Sequence, residues 1–358
     1  MAGESRANVI PLHTNRGRVA ARRKADQRAE SSRQHPSLLS DPRGQAPAEE
    51  VAAVVREIDE HRRLAGTAGV SGSAEAPLND LAQRVAAVAG FLRQRLTGDY
   101  AVDEFGFDPH FNSAIVRPLL RVFFRSWFRV EVSGIENLPS EGGALLVANH
   151  AGVLPLDGLM LSVAVHDEHP AQRDLRLLAA DMVFDLPVVG EAARKAGHTM
   201  ACTTDAHRLL AAGELTAVFP EGYKGLGKRF EERYRLQRFG RGGFVTAALR
   251  TKAPIIPCSI IGSEEIYPML TDVKLLARLF GLPYFPITPL FPLAGPAGLV
   301  PLPSKWRIAF GEPIYTNDYA ASDAEDPMVT FELTDQVRET IQQTLYRLLA
   351  GRRNVFLG

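Results

Sequence analysis

Cysteine is scarce in this chain, and the scarcity narrows its chemistry at once. Its 358 residues include only Cys202 and Cys258. Both sit in apolar surroundings without metal-ligand spacing, so no disulfide framework and no metal centre is expected. A reduced, cytosol-facing protein is the simple expectation. Neither sign of charge is in excess: 41 Lys and Arg stand against 41 Asp and Glu. Overall balance therefore singles out no partner. No recognised nucleic-acid-binding motif accompanies the local basic stretches, so nucleic acid is not an expected partner. There is no G-x-S-x-G, which removes the nucleophile elbow that a Ser-His-Asp lipid hydrolase requires. The first residues, MAGESRANVIPLH, hold no long apolar segment, so no cleaved leader is expected. One uncharged run, residues 279–304, is long enough to cross a bilayer, but it carries seven prolines. Each proline removes a backbone donor and clashes with the preceding turn, and in lipid the freed groups would go unpaired. No transmembrane helix is expected there or elsewhere.

What is present is a globular composition, 46% hydrophobic, in a chain long enough for one large domain with extensions. Residues 1–46 read as a disordered basic tail, in which eight cations up to Arg33 face three acids. Such a tail either docks on an anionic membrane surface or is simply solvated. Residues 47–112 read as a helical extension. Its helices, over 47–65 and 79–96, flank a flexible Gly/Ser/Ala linker at 66–77. Residues 113–358 alternate. Strands are expected near 130–132, 145–148, 175–179, 217–219, 255–261 and 306–309. Helices are expected near 155–165, 190–196, 205–212, 243–250, 264–280 and 328–349. This alternation predicts an α/β fold, a mostly parallel sheet flanked by helices and closed by a C-terminal helix.

Two polar clusters stand out, each just past an apolar run. NHAGVLPLDG (residues 149–158) follows ALLVA, and VFPEGYKG (residues 218–225) closes LTAVF. An open α/β sheet builds its site at the carboxyl ends of its strands. His150 with Asp157 is a general-base arrangement: an imidazole moves protons near neutrality, and a carboxylate fixes its tautomer. Pro155 suits a helix start that would turn Asp157 back toward His150. Gly222 permits close backbone approach to a ligand. Glu221 is suited to accept hydrogen bonds from an acceptor hydroxyl. Tyr223 reads either as a donor to a thioester oxygen or as packing. From Lys224 to Arg241 seven cations face two acids. That segment suits coenzyme A phosphates, a membrane surface or plain solvation, with Lys228, Arg229 and Arg241 as its candidate contacts.

These motifs, with APIIPCSIIG (residues 253–262) downstream, resemble the PlsC-type glycerolipid acyltransferases, whose marks are N-H-x4-D and F-P-E-G boxes. The resemblance covers roughly residues 115–313. It implies that His150 deprotonates an acceptor hydroxyl, which attacks a fatty acyl thioester. Asp157 would orient the base. Asn149, Glu221, Gly222, Tyr223 and Lys224 would contact substrate. The donor would be acyl-CoA, as co-substrate rather than cofactor, or an acyl carrier protein. Backbone N–H groups near Gly152 or Gly222 would hold the oxyanion. Three departures matter. Six residues separate His150 from Asp157 where four are usual, which resembles the mono- and diacylglycerol acyltransferase branch. The third box reads FPEGYK in place of FPEGTR. The second box lacks its phosphate-holding arginine, its place taken by Thr203. A neutral lipid acceptor is therefore expected over a lysophosphatidic acid, unless Arg194, Lys195 or Arg208 supplies the charge. A non-catalytic lipid-binding protein with the same fold is the rival from another class.

Two further segments point to lipid. In AIVRPLLRVFFRSWFRV (residues 114–130) arginines recur every four residues among aromatics. The stripe reads either as a membrane-surface helix or as a core helix with its arginines outward. The apolar, irregular YFPITPLFPLAGP (residues 284–296) is expected to dip into an interface. Together these predict a peripheral protein on the cytoplasmic face of a membrane, with an apolar groove at His150 for the acyl chain.

Overall fold

Strand and helix alternate through most of the described chain. Helix α1 covers residues 109–127. Then come β1 (Glu131–Ser133), β2 (Ala144–Ala148), α2 (Leu156–Glu168) and β3 (Leu175–Ala179). They are followed by α3 (Asp181–Asp185), α4 (Val189–Lys195), β4 (His198–Met200), α5 (Thr203–Ala211) and β5 (Leu215–Val218). Next are α6 (Tyr223–Leu226), α7 (Gly243–Thr251), β6 (Ile255–Ile261), β7 (Thr271–Asp272) and α8 (Lys274–Phe280). The chain closes with β8 (Pro286–Ile287), β9 (Arg307–Phe310) and α9 (Pro327–Ala350). The computed structural model describes residues 101–240 and 242–358, with the single positions Gly90 and Arg93. The basic tail, both extension helices and their linker lie outside the described residues, apart from those two positions.

Seven strands form one sheet in the order β1-β9-β6-β2-β5-β3-β4. The pairs β6–β2, β2–β5, β5–β3 and β3–β4 are parallel, so five strands present their carboxyl ends on one rim. Only β9 meets β6 antiparallel, and β1 follows β9 in parallel. The expected α/β sheet is therefore the observed one. Period-two alternation along β2 builds two cores. Leu146 and Ala148 face Phe128, Met160, Leu161 and Trp306, beneath α1 and α2. Leu145 and Val147 face Leu209, Val245, Leu249 and Ile341, beneath α5, α7 and α9. All five residues of β2 and all seven of β6 are buried, as strands covered on both faces require.

Three local expectations change. A single helix over 264–280 does not form. Pro268 interrupts it, and the segment divides into a 3-10 turn at Ser263–Glu265, strand β7 and helix α8. Strand β4 carries no apolar run, only His-Thr-Met at the sheet edge, and its pattern did not announce it. Helix α1 forms, with π-helical turns at Asn112–Val116 and Phe123–Trp127, but its arginines are not free. Arg117 reaches Asp174 at 2.6 Å and His166 at 2.6 Å. Arg121 grips Asp167 with two bonds of 2.7 and 2.8 Å. Arg129, past the helix at φ 47°, bonds the carbonyls of Trp127, Pro303 and Phe356. The stripe docks α1 onto α2 and the chain's end.

The proline-rich segment leaves the sheet altogether. β7 and β8 pair as a two-stranded ribbon, and α8 precedes an irregular run to Pro303. No helix of the described residues is long and apolar enough to cross a membrane.

Candidate active site

The site lies on the rim where β2, β5 and β6 end side by side. Asn149 continues β2 by other means. Its side-chain amide donates to Ile260 O (2.9 Å) and accepts from Ile260 N–H (2.7 Å), as a peptide of the ladder would. Asn149 is fully buried and committed to β6, so it is not the expected substrate contact. Its work is to fix the position of the next residue.

That residue is His150. Its Nδ1 lies 2.8 Å from Asp157 Oδ2. The same oxygen accepts Ala151 N–H at 2.8 Å, while Asp157 Oδ1 accepts Gly158 N–H at 2.8 Å. Asp157 occupies the first turn of α2, where helix dipole and free N–H groups favour a carboxylate. The intervening loop folds around that carboxylate, which explains how a spacing of six still closes the pair. Gly152 makes the fold possible: at φ +81°, a Cβ there would lie 2.9 Å from Ser263 O. With Asp157 accepting from Nδ1–H, the basic lone pair of the imidazole is on Nε2. The ring packs on Phe219, with centroids 4.5 Å apart. Tyr284, from the proline-rich lobe, donates to Val153 O at 2.6 Å and so ties that lobe to the loop. Burial, and then the charge of Asp157, raises the pKa of the Tyr284 phenol and of the Cys258 thiol. Both stay neutral beside the pair.

Glu221 does not stand where the sequence suggested. It is buried, and its oxygens are spent on the protein: Oε1 accepts His150 N–H at 2.9 Å and Oε2 accepts Gln237 N–H at 2.6 Å. Lys228 is likewise not a phosphate or membrane contact. It lies buried between Glu221 Oε2 at 3.3 Å and Glu264 Oε1 at 3.0 Å. Burial opposes its charge, but Glu264 and then Glu221 outweigh that, and its pKa rises. Burial also pushes Glu264 up to about 7, only partly offset by Lys228. Gly222 adopts φ +55°, ψ −141°, a conformation open to glycine, at the start of α6. Tyr223 and Lys224 are exposed on α6. Arg229 is exposed and pairs with Glu231 at 3.0 Å. Arg241 lies outside the described residues.

The flanking cations are also engaged. Lys195 pairs with Glu191, Arg208 with Glu104, and Arg194 lies 4.5 Å over the Phe184 ring. A void of about 10 Å³ adjoins Gly152, Gly225 and Glu264, too small for an acyl chain. A cavity of about 960 Å³ lies elsewhere, lined by Phe310, Glu312, Tyr315 and Gln336. Neither is the expected acyl groove. Sequence reading missed Glu264 as a partner in the site. It follows β6 as His150 follows β2, so the strand-end rule applied to a third strand would have found it.

Residues 129–261 match the acyltransferase family model. An uncharacterised protein of Mycobacterium tuberculosis is 87% identical over all of this chain and 99% of its own length. One of Mycobacterium leprae is 84% identical over all of this chain and 98% of its own. The bovine DGAT1/2-independent enzyme synthesizing storage lipids is 27% identical over 60% of this chain and 59% of its own length. A crystal structure of the 1-acyl-sn-glycerophosphate acyltransferase PlsC from Thermotoga maritima superposes with a TM-score of 0.45 and 19% identity. It covers 68% of this chain and 83% of that one.

Proposed function

We propose that this chain, whose residues 129–261 match the acyltransferase family model, moves a fatty acyl group from a thioester to a neutral lipid hydroxyl, with His150 as the base. The observation that carries this is the 2.8 Å contact of His150 Nδ1 with Asp157, which leaves Nε2 as the basic atom. His150 takes the hydroxyl proton as the oxygen attacks the thioester carbonyl carbon. The tetrahedral intermediate collapses, the carbon–sulfur bond breaks, and the thiolate leaves with the proton returned from His150. The products are an ester and a free thiol. Of the two backbone candidates for the oxyanion, Gly222 N–H is already donated to Phe219 O at 3.0 Å. That favours Gly152. The donor we propose is acyl-CoA, with acyl carrier protein as the alternative carrier.

The neutral acceptor is supported by the missing cations. Thr203 stands in the place of the phosphate-holding arginine, and the three cations that could replace it are paired or stacked. The name of the bovine relative, an enzyme of storage lipids, points the same way. We also place the protein on a membrane surface, through the exposed leucines of the proline-rich lobe.

His150→Ala is expected to lower turnover about 10²–10⁴-fold in a folded protein, the usual cost of losing a general base. Asp157→Asn should follow it by releasing the tautomer. Monoacylglycerol and lysophosphatidic acid offered together with one acyl-CoA should yield mainly the neutral product. A folded, active His150→Ala protein refutes the base. A preference for lysophosphatidic acid refutes the acceptor alone.

A further inference from the structure

Three buried side chains beneath the base are not accounted for by substrate contact. Glu221, Lys228 and Glu264 come from the ends of β5 and β6 and the segment between them. Their side chains are at most 4% exposed. Lys228 Nζ faces Glu221 Oε2, Glu264 Oε1 and, at 3.5 Å, Arg235 O. Glu264 Oε2 takes Tyr234 N–H at 2.9 Å, and Glu221 takes the amides of Gln237 and His150. One ammonium thus holds in register two carboxylates that between them accept three backbone amides. One of those amides is that of His150 itself.

We propose that Lys228, anchored by Glu264, is a positioning residue for catalysis: it fixes Glu221, which fixes the backbone of His150. The assignment rests on His150 being the base. Geometry favours positioning over mere stability. A buried ion pair is weak evidence of net stabilisation, since desolvation offsets most of the attraction. A hydrocarbon core would serve stability as well. What the carboxylate of Glu221 supplies, and hydrocarbon cannot, is an acceptor for the His150 amide at the turn where β2 ends.

Four full-length proteins test this: wild type, Lys228→Met, Lys228→Met with Glu264→Gln, and His150→Ala. Lys228→Met leaves two buried carboxylates without their cation, so loss of stability there is uninformative. The double variant returns the cluster to its wild-type net charge, with the remaining Glu221 carboxylate still held by two backbone amides, and should recover most of the lost melting temperature. The measurements are kcat and KM with palmitoyl-CoA and 1-oleoylglycerol, and hydrogen exchange of residues 149–152 against β2. The double variant should melt near wild type yet keep kcat about 10–100-fold down with KM little changed, as a base misplaced by a fraction of an ångström would. Exchange at residues 149–152 should rise about tenfold or more, with β2 still protected. Recovery of both kcat and protection along with melting temperature would overturn the proposal and leave Lys228 a structural cation. An active His150→Ala protein would instead remove the base, while the exchange data would still report whether Lys228 holds the loop.

Discussion

Gly225 sets how closely the base is held. A Cβ at this position would lie 2.7 Å from His150 O and 2.8 Å from both His150 Cβ and Glu221 Cβ. No rotamer relieves such contacts, because backbone and Cβ atoms cannot swing away. Gly225→Ala should therefore push α6 and the His150 turn apart. We expect kcat to fall about 10²-fold, with far-ultraviolet circular dichroism unchanged. Wild-type turnover in the alanine variant would show that the contact has slack. The same residue illustrates what could be read from sequence and what could not. The contact of His150 with Asp157 was legible because a helix start near Pro155 turns that carboxylate back to the end of β2, and the two do meet at 2.8 Å. Glu221 was legible as a site residue, but its direction was not. Nothing local says whether a carboxylate at a strand end faces a ligand or the backbone amide of a residue 71 positions away. Lys228 was misread for the same reason, being grouped with cations such as Lys224 and Arg229 that are exposed. Its burial follows from Glu264, 36 positions along the chain.

Helix α1 shows the corresponding limit at the scale of elements. Its period-four arginines were visible, and so was the choice between a membrane face and a core face. The structure gives a third use. Arg117 and Arg121 pair with acids before β3 and on α2, and Arg129 bonds backbone carbonyls, while Leu119 and Val122 remain exposed. Strands and helices of the core were legible because long apolar runs between turns leave little freedom. Partner choice for a charged stripe depends on tertiary neighbours instead. Asp167 joins the two helices: its side chain is 2% exposed and takes both bonds of Arg121, with Arg125 at 3.4 Å. Burial raises its pKa, but Arg121 and His166 outweigh that and hold it low. Asp167→Asn should cost about 1–3 kcal/mol in denaturant unfolding, the scale of losing charge-assisted bonds in a partly buried site. Because α1 and the residue that caps it contribute Phe124 and Phe128 to the core, the loss should appear in the global transition. An unchanged midpoint would mean that the core alone docks α1.

At the scale of the whole molecule, one feature has no use within the fold. The lobe from β7 to Pro303 exposes leucines at an unusual level: Leu275 is 76%, Leu279 74% and Leu293 90% exposed. Phe280, Leu282 and Leu290 accompany them, with Lys274 and Arg278 on the same helix. Scattered exposed leucines need no explanation, but a concentrated set on one lobe does. The membrane surface proposed above would suit such a set, since apolar side chains enter an interface while neighbouring cations meet anionic headgroups. Tyr284 ties this lobe to the His150 loop, so docking would bring the lipid surface up to the base. Replacing Leu275, Leu279 and Leu293 together by serine tests the idea without touching the site. Partial burial of three leucines is worth roughly 2–3 kcal/mol, so binding to phosphatidylcholine vesicles should weaken about 30–150-fold. Transfer between soluble short-chain substrates should stay at the wild-type rate, because neither His150 nor its supports are altered. Adding anionic lipid should strengthen binding of both proteins, and raising salt should reverse that gain alone. If the triple variant sediments with neutral vesicles as wild type does, the leucines of this lobe are not the proposed membrane contact.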